Sequence, residues 1–240
     1  MATRVPFTEL ISFGDKGYGD ELMWGALTTL IISAGAYAVG LTIGLGGASA
    51  KLNGNRFTFW IAEFYTTIVR AVPELVLILL LYYAGTSGLN EILKAYGYSG
   101  VQINGMVAAI VVLGFVQGAY STEVIRAAIQ AIPIGQIEAA KAYGMTPMQR
   151  FRRIILPAML PYAMPGLTNL WMVVTKDSAL VSVVGFTELA LATRQASGNS
   201  KYYLGFYLLT SLIYLSITLV SNAGLKPLER HLRRGFPKLT

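Results

Sequence analysis

No cysteine occurs in the chain, which excludes disulfides and thiolate metal sites. Histidine is almost as scarce. His231 stands alone in a basic tail, whereas a zinc site needs three or four donors, so no metal centre is expected. Charge is thin too: 13% of residues are Asp, Glu, Lys or Arg, against about 25% in an ordinary soluble domain. With 54% hydrophobic residues and a mean hydropathy of +0.54, that shortage points to an integral membrane protein. The net charge of +7 does not argue for nucleic acid, because the bases stand at the ends of apolar runs, where they set topology. The phosphate-binding pattern G-x-x-x-x-G-K-[ST] is absent. Its nearest look-alike, "GLGGASAK" at Gly44–Lys51, has no glycine before its lysine and closes an apolar run. H-E-x-x-H, G-x-S-x-G and EF-hand patterns are missing as well. The chain is thus not expected to be an enzyme, and any driven work must draw on an ion gradient or on another chain.

What is present is a series of apolar runs long enough to cross a bilayer, which takes about 20 residues each. They cover about Leu22 to Ala50, Val69 to Gly85 (with an extension back to Phe57), Met106 to Ile129, Pro157 to Val174 and Tyr202 to Leu225. The apolar stretch Ser178–Gly185 is too short to span and reads as a broken or re-entrant continuation of the fourth run, tolerated where protein buries it. Gly40 and Gly44 form a G-x-x-x-G pair that lets two helix backbones approach, as general packing or as a dimer seam. The expected fold is all-α, with five transmembrane helices.

Loop charges predict orientation. Lys51, Arg56, Lys141, Arg150, Arg152, Arg153, Lys226, Arg230, Arg233, Arg234 and Lys238 fall on one side. Arg4, Lys16, Lys94, Lys176, Arg194 and Lys201 fall on the other. That excess places the C-terminus in the cytoplasm and the N-terminus outside. The division is then residues 1–20 as an external segment, 21–225 as one membrane domain with a cytoplasmic loop at 132–157, and 226–240 as a basic cytoplasmic tail. The first segment holds Arg4, Glu9, Asp15, Lys16 and Asp20 without an apolar core, unlike a signal peptide.

The stretch "EAAKAYGMTPMQRFRRIILP", Glu138–Pro157, interrupts this pattern. Pro133 should end the third span, with a helix restarting near Gln136. Glu138 suits the positive end of that helix, and Ala139, Ala140 and Ala142 offer a small-residue face. Gly144 can stop the helix in a left-handed conformation. Thr146, Pro147 and Gln149 make the start of a second helix with a capping box, and Pro157 marks the beginning of the fourth span. The residues describe an ordered helix–turn–helix elbow, suited either to docking in a partner's groove or to a solvated hairpin.

The spacing resolves this by resemblance. Glu138-Ala139-Ala140, three residues, Gly144, nine residues, Ile154-x-Leu156-Pro157 resembles the EAA signature of ABC importer permeases. "YTTIVRAVPELVLILLLYYAG" (Tyr65–Gly85), "GAYSTEVIRAAIQAIPIGQIEAA" (Gly118–Ala140) and "KDSALVSVVGFTEL" (Lys176–Leu189) resemble the branch that takes up polar and basic amino acids. The resemblance implies a type I importer permease of the bacterial inner or plasma membrane. It works as a dimer with itself or a sister permease, with two ATPase subunits that carry ATP and Mg, and with a periplasmic or lipid-anchored binding protein. It also implies that the elbow is the coupling helix and that Glu138, Ala139, Ala140 and Gly144 are coupling residues. Glu74 after Pro73 resembles the histidine, lysine, arginine and opine permeases and implies a cationic cargo.

Ionisable groups within spans are costly and therefore candidates for the path. Glu74 could meet a cationic substrate group or pair with Arg70 one helical turn back. Gln117, Tyr120, Lys176 and Asp177 are further pathway candidates. Glu123 and Arg126, at i and i+3, could form a salt bridge or a gate latch. An ion-coupled secondary transporter is the alternative function, and a purely structural membrane subunit a third.

Overall fold

The computed structural model describes residues 6–14, 17–98 and 104–232. Those residues are mostly helical, without strands. A short α1 (Phe7–Leu10) precedes α2 (Gly19–Asn53), α3 (Arg56–Ala71), α4 (Glu74–Ala95) and α5 (Gly105–Gln130). The elbow follows as α6 (Ile134–Ala142) and α7 (Pro147–Arg150). A π-helical turn, Phe151–Ile155, leads without interruption into α8 (Leu156–Asp177), and a 3-10 segment, Ser178–Val184, continues it. Finally come α9 (Leu189–Ser200) and α10 (Tyr203–Leu232). Four of these helices, α2, α4, α5 and α10, are long and apolar enough to cross a membrane. The bent pair Pro147–Val184 and Leu189–Ser200, at 54° to one another, makes up to five.

The bundle is organised around α2 and α5. At 35 residues, α2 is about 52 Å long at 1.5 Å per residue, more than the hydrocarbon core requires. Its small residues meet those of α5 so closely that a Cβ on Gly44 would lie 2.5 Å from Ser121 Cβ and 2.9 Å from the Ser121 carbonyl carbon. The Gly40/Gly44 pair is therefore used within the chain, against α5, rather than left open for a dimer seam. Ile32 and Ala36 of α2, Val112 and Leu113 of α5, and Val174 and Val181 from the fourth span fill the centre. A second cluster joins α1 to the far end of the molecule, where Leu10 packs with Leu22, Leu189, Ala192 and Phe206.

Several expectations need correction. The second apolar run is two helices. Proline disfavours the α conformation in the residue before it, and Val72 is accordingly extended (φ −96°, ψ 139°) between α3 and α4. α6 begins at Ile134, two residues before Gln136, because Pro133 itself takes the N-cap position. α8 does begin beside Pro157, which proline's tolerance of the first turn allows, but the chain is already helical from Pro147, so the elbow and the fourth span are continuous. α10 runs past Leu225 to Leu232, so the start of the basic tail is a helical extension of the last span. α9 was not anticipated. Of the bases used for orientation, Arg4, Lys16, Arg233, Arg234 and Lys238 lie outside the described residues, and Lys176 belongs to a helix break rather than to a loop.

Candidate functional site

Two helix breaks face each other inside the bundle. One lies between α3 and α4, where Pro73 caps α4 and makes Glu74 its first residue. The other lies where α8 gives way to the 3-10 segment, just after Asp177. There the Ser178 hydroxyl donates to the Thr175 carbonyl at 2.9 Å and Thr175 donates to Trp171 at 2.8 Å, side-chain bonds that compete with the regular ladder. Glu74 and Asp177 are thus close enough for their charges to interact, and the Tyr120 hydroxyl on α5 stands near Glu74 as well. All three side chains are half-buried. Arg70, at the end of α3, stands over the Tyr120 ring, 6.0 Å from its centroid.

Neither Glu74 nor Asp177 has a lysine or arginine nitrogen within 4.0 Å among the described residues. The expected i−4 pairing of Glu74 with Arg70 fails for a geometric reason: the extended residue Val72 separates their helices, so they share no helical face. Two neighbouring carboxylates repel each other, and a cation between them removes the repulsion. Lys176 is exposed and Gln117 lies elsewhere. Gln117 is buried against α8, donating to the Leu170 carbonyl at 3.0 Å, which makes it a tie between spans. Trp171 packs edge-on against Tyr37 at 5.6 Å.

Nearer the elbow a different acidic cluster is fully compensated. Lys51, at the end of α2 with 2% of its side chain exposed, lies 2.7 Å from Glu63 of α3 and 2.5 Å from Glu123 of α5. It also donates to Thr66 at 2.6 Å. Glu123 accepts from Arg126 at 2.7 Å and 3.0 Å, and Arg126 donates onward to Gln130 at 3.1 Å. The Glu123–Arg126 pair is thus one edge of a network that ties three helices. Sequence reasoning missed Lys51 and Glu63 as members, because residues on separate helices have no period in common.

A further acid, Glu188, was also missed, although it lies in an apolar stretch where any carboxylate is a cue. It is wholly buried and caps α9. Oε1 accepts from the Leu191 amide at 2.9 Å, and Oε2 accepts from the Ala190 amide at 2.9 Å. Oε2 also accepts from the hydroxyls of Thr29 and Tyr214, each at 3.2 Å. The side chain thereby joins α2, α9 and α10 next to the broken segment of the fourth span.

The elbow is ordered by its own backbone. Gly144 adopts φ +71°, which an L side chain rarely takes. The Gly144 amide donates to Lys141 at 2.9 Å and the Met145 amide to Ala140 at 3.1 Å, the two bonds of a Schellman stop. Thr146 accepts from the Gln149 amide at 3.3 Å while Gln149 accepts from the Thr146 amide at 3.0 Å, so the capping box is complete. Glu138, Ala139 and Ala142 face outward, and Tyr143 is 85% exposed. Ala140 is 3% exposed; its side chain is turned into the fold rather than onto the small-residue face.

The family of binding-protein-dependent transport system inner membrane components matches residues 38–234. The chain is 44% identical over 222 residues to the histidine/lysine/arginine/ornithine transport system permease protein HisQ of Salmonella typhimurium, covering 92% of this chain and 97% of that protein. It is 40% identical over 232 residues to the nopaline transport system permease protein NocQ of Agrobacterium fabrum, covering 94% and 97%. A crystal structure of an amino acid ABC transporter with histidines superposes with a TM-score of 0.77 at 30% identity, over 95% of this chain and 100% of that one. With similarity of this extent along nearly the whole sequence, the chain belongs to the binding-protein-dependent transport system inner membrane components and is a permease subunit of an ABC importer.

Proposed function

We propose that this permease conducts a cationic amino acid or a related guanidino compound past Glu74 and Asp177. The carrying observation is that these two carboxyl groups lie close together at opposed helix breaks, with no lysine or arginine nitrogen within 4.0 Å of either among the described residues. Broken helices supply binding groups at mid-membrane in other transporters, and an ammonium or guanidinium fits between two carboxylates. The cargo of the two relatives, histidine, lysine, arginine and ornithine for HisQ and nopaline for NocQ, supports the same class. Tyr120 would line the site, and Arg70 would stand at its rim.

The work would come from elsewhere. Two ATPase subunits, holding ATP and Mg, would dock on the outward face of the elbow through Glu138, Ala139 and the turn held by Gly144. A second permease, identical or a sister, would complete the passage, and a binding protein would deliver cargo. The elbow and the C-terminus would lie in the cytoplasm and the N-terminus outside.

The test is arginine uptake and ATP hydrolysis in the complete reconstituted complex. Glu74→Gln with Asp177→Asn should lower arginine uptake at least tenfold, while hydrolysis stimulated by loaded binding protein continues. Unchanged uptake would overturn the cationic site. Glu138→Lys should abolish uptake and stimulated hydrolysis together while the protein still inserts. Normal transport by that variant would overturn the docking role.

A further inference from the structure

We infer that the groove between the end of α2 and the inner side of the elbow is a binding site for one anionic phospholipid. The groove encloses about 1040 Å³. Leu45, Gly46 and Leu52 of α2 form one wall, and Ile132, Ile137 and Phe151 form the other. Two bases, Lys141 on α6 and Arg150 on α7, stand at its rim, and no acidic residue lines it. Neither base has a carboxylate within 4.0 Å among the described residues. That contrasts with Lys51 and Arg126 nearby, whose carboxylates are in contact.

The chemistry selects the occupant. α2 and α5 end here, so the groove lies where spans leave the bilayer. Apart from Thr42, Ser49, Asn53 and Gln130 its walls are apolar, and water would solvate them poorly. Its rim offers two cationic donors for a phosphate, one of them a guanidinium fork. A free phosphate would use the rim and leave the walls bare, whereas a phospholipid satisfies both. Basic pockets between spans at a membrane surface hold anionic headgroups for this reason. The face is also distinct from the proposed docking face: Ile137 and Lys141 line the groove, while Glu138, Ala139 and Ala142 are exposed and lie outside it.

The experiment is native mass spectrometry of the assembled transporter after exchange into mixed phosphatidylglycerol and phosphatidylcholine micelles. Wild type should retain phosphatidylglycerol in preference to phosphatidylcholine. Lys141→Gln with Arg150→Gln should weaken that retention by roughly fivefold per base removed, and Lys141→Arg with Arg150→Lys should keep it. Gly46→Leu tests the acyl track without touching a charge. A Cβ at Gly46 meets nothing within 4 Å, so the variant should fold, and it should lower retention by filling the wall. Equal retention of the two lipids, or no loss in the double Gln variant, would overturn the proposal. Full displacement by inorganic phosphate would overturn the lipid assignment. A cross-link from Gly46→Cys to a second permease copy, at full yield, would give the groove to that copy instead. The readout involves neither uptake nor hydrolysis, so it stands or falls apart from the elbow's coupling role.

Discussion

Two acidic clusters in one bundle are treated in opposite ways. Glu63 and Glu123 share the buried ammonium of Lys51, and Glu123 has Arg126 besides. Glu74 and Asp177 have each other and Tyr120, with Lys176 acting on Asp177 only from beyond 4.0 Å. A buried charge that is paired and hydrogen-bonded holds elements together, and removing one partner is strongly destabilising. A half-buried carboxylate pair with no cation in salt-bridge contact contributes little to holding the fold and much to attracting a positive ligand. The difference separates structure from site more sharply than the presence of ionisable residues in spans, which both clusters share. Glu188 lies between these cases, compensated by neutral donors and a helix N-terminus instead of a cation.

The contrast can be broken in order of expected effect. Lys51→Met leaves Glu63 and Glu123 facing each other and should cost about 3–5 kcal/mol, read as a collapse in the melting temperature of the detergent-solubilised transporter. Adding Glu63→Gln and Glu123→Gln should recover most of the loss. A single variant that melts like wild type would remove the network from the structural account. Glu188→Gln comes next. It replaces one acceptor oxygen by a donor among four donors, at about 1–3 kcal/mol, while Glu188→Ala should cost more and detach α9, seen as faster amide exchange over Leu189–Ser200. Gly144→Ala should cost roughly 1–2 kcal/mol for a left-handed alanine, and the damage should show as proteolysis within the elbow rather than in the spans. The smallest effect sharpens the comparison most: Glu74→Gln should leave the melting temperature unchanged or raise it, because it removes repulsion. A drop comparable to that of Lys51→Met would assign Glu74 to structure and remove it from the site.

Local chemistry carried the elbow. Pro133, Gly144, Thr146, Pro147 and Gln149 act on backbone groups a few residues away, so their spacing already described a stop, a turn and a cap. It could not say that Ala140 turns inward while Ala139 faces out, since that depends on what α6 packs against. The apolar runs of α2, α5 and α10 were legible for the same local reason. The second run was not, because Val72-Pro73 interrupts a stretch whose hydropathy continues across the break. α9 was missed because its small and polar residues, packed on α1, α2 and α10, carry no apolar run of their own.

The sequence by itself determined that this is a membrane protein with an ordered polar elbow, and its signature spacing carried the resemblance to the importer permeases, because composition, caps and signature spacing are properties of neighbouring residues. Only the tertiary structure decided which ionisable groups meet. Lys51 with Glu63 and Glu123, Thr29 and Tyr214 with Glu188, and Glu74 with Asp177 are each brought together from separate helices. Whether a buried carboxylate is satisfied or waiting for a cation depends on charges a few ångström away in space, and helix packing alone sets those distances.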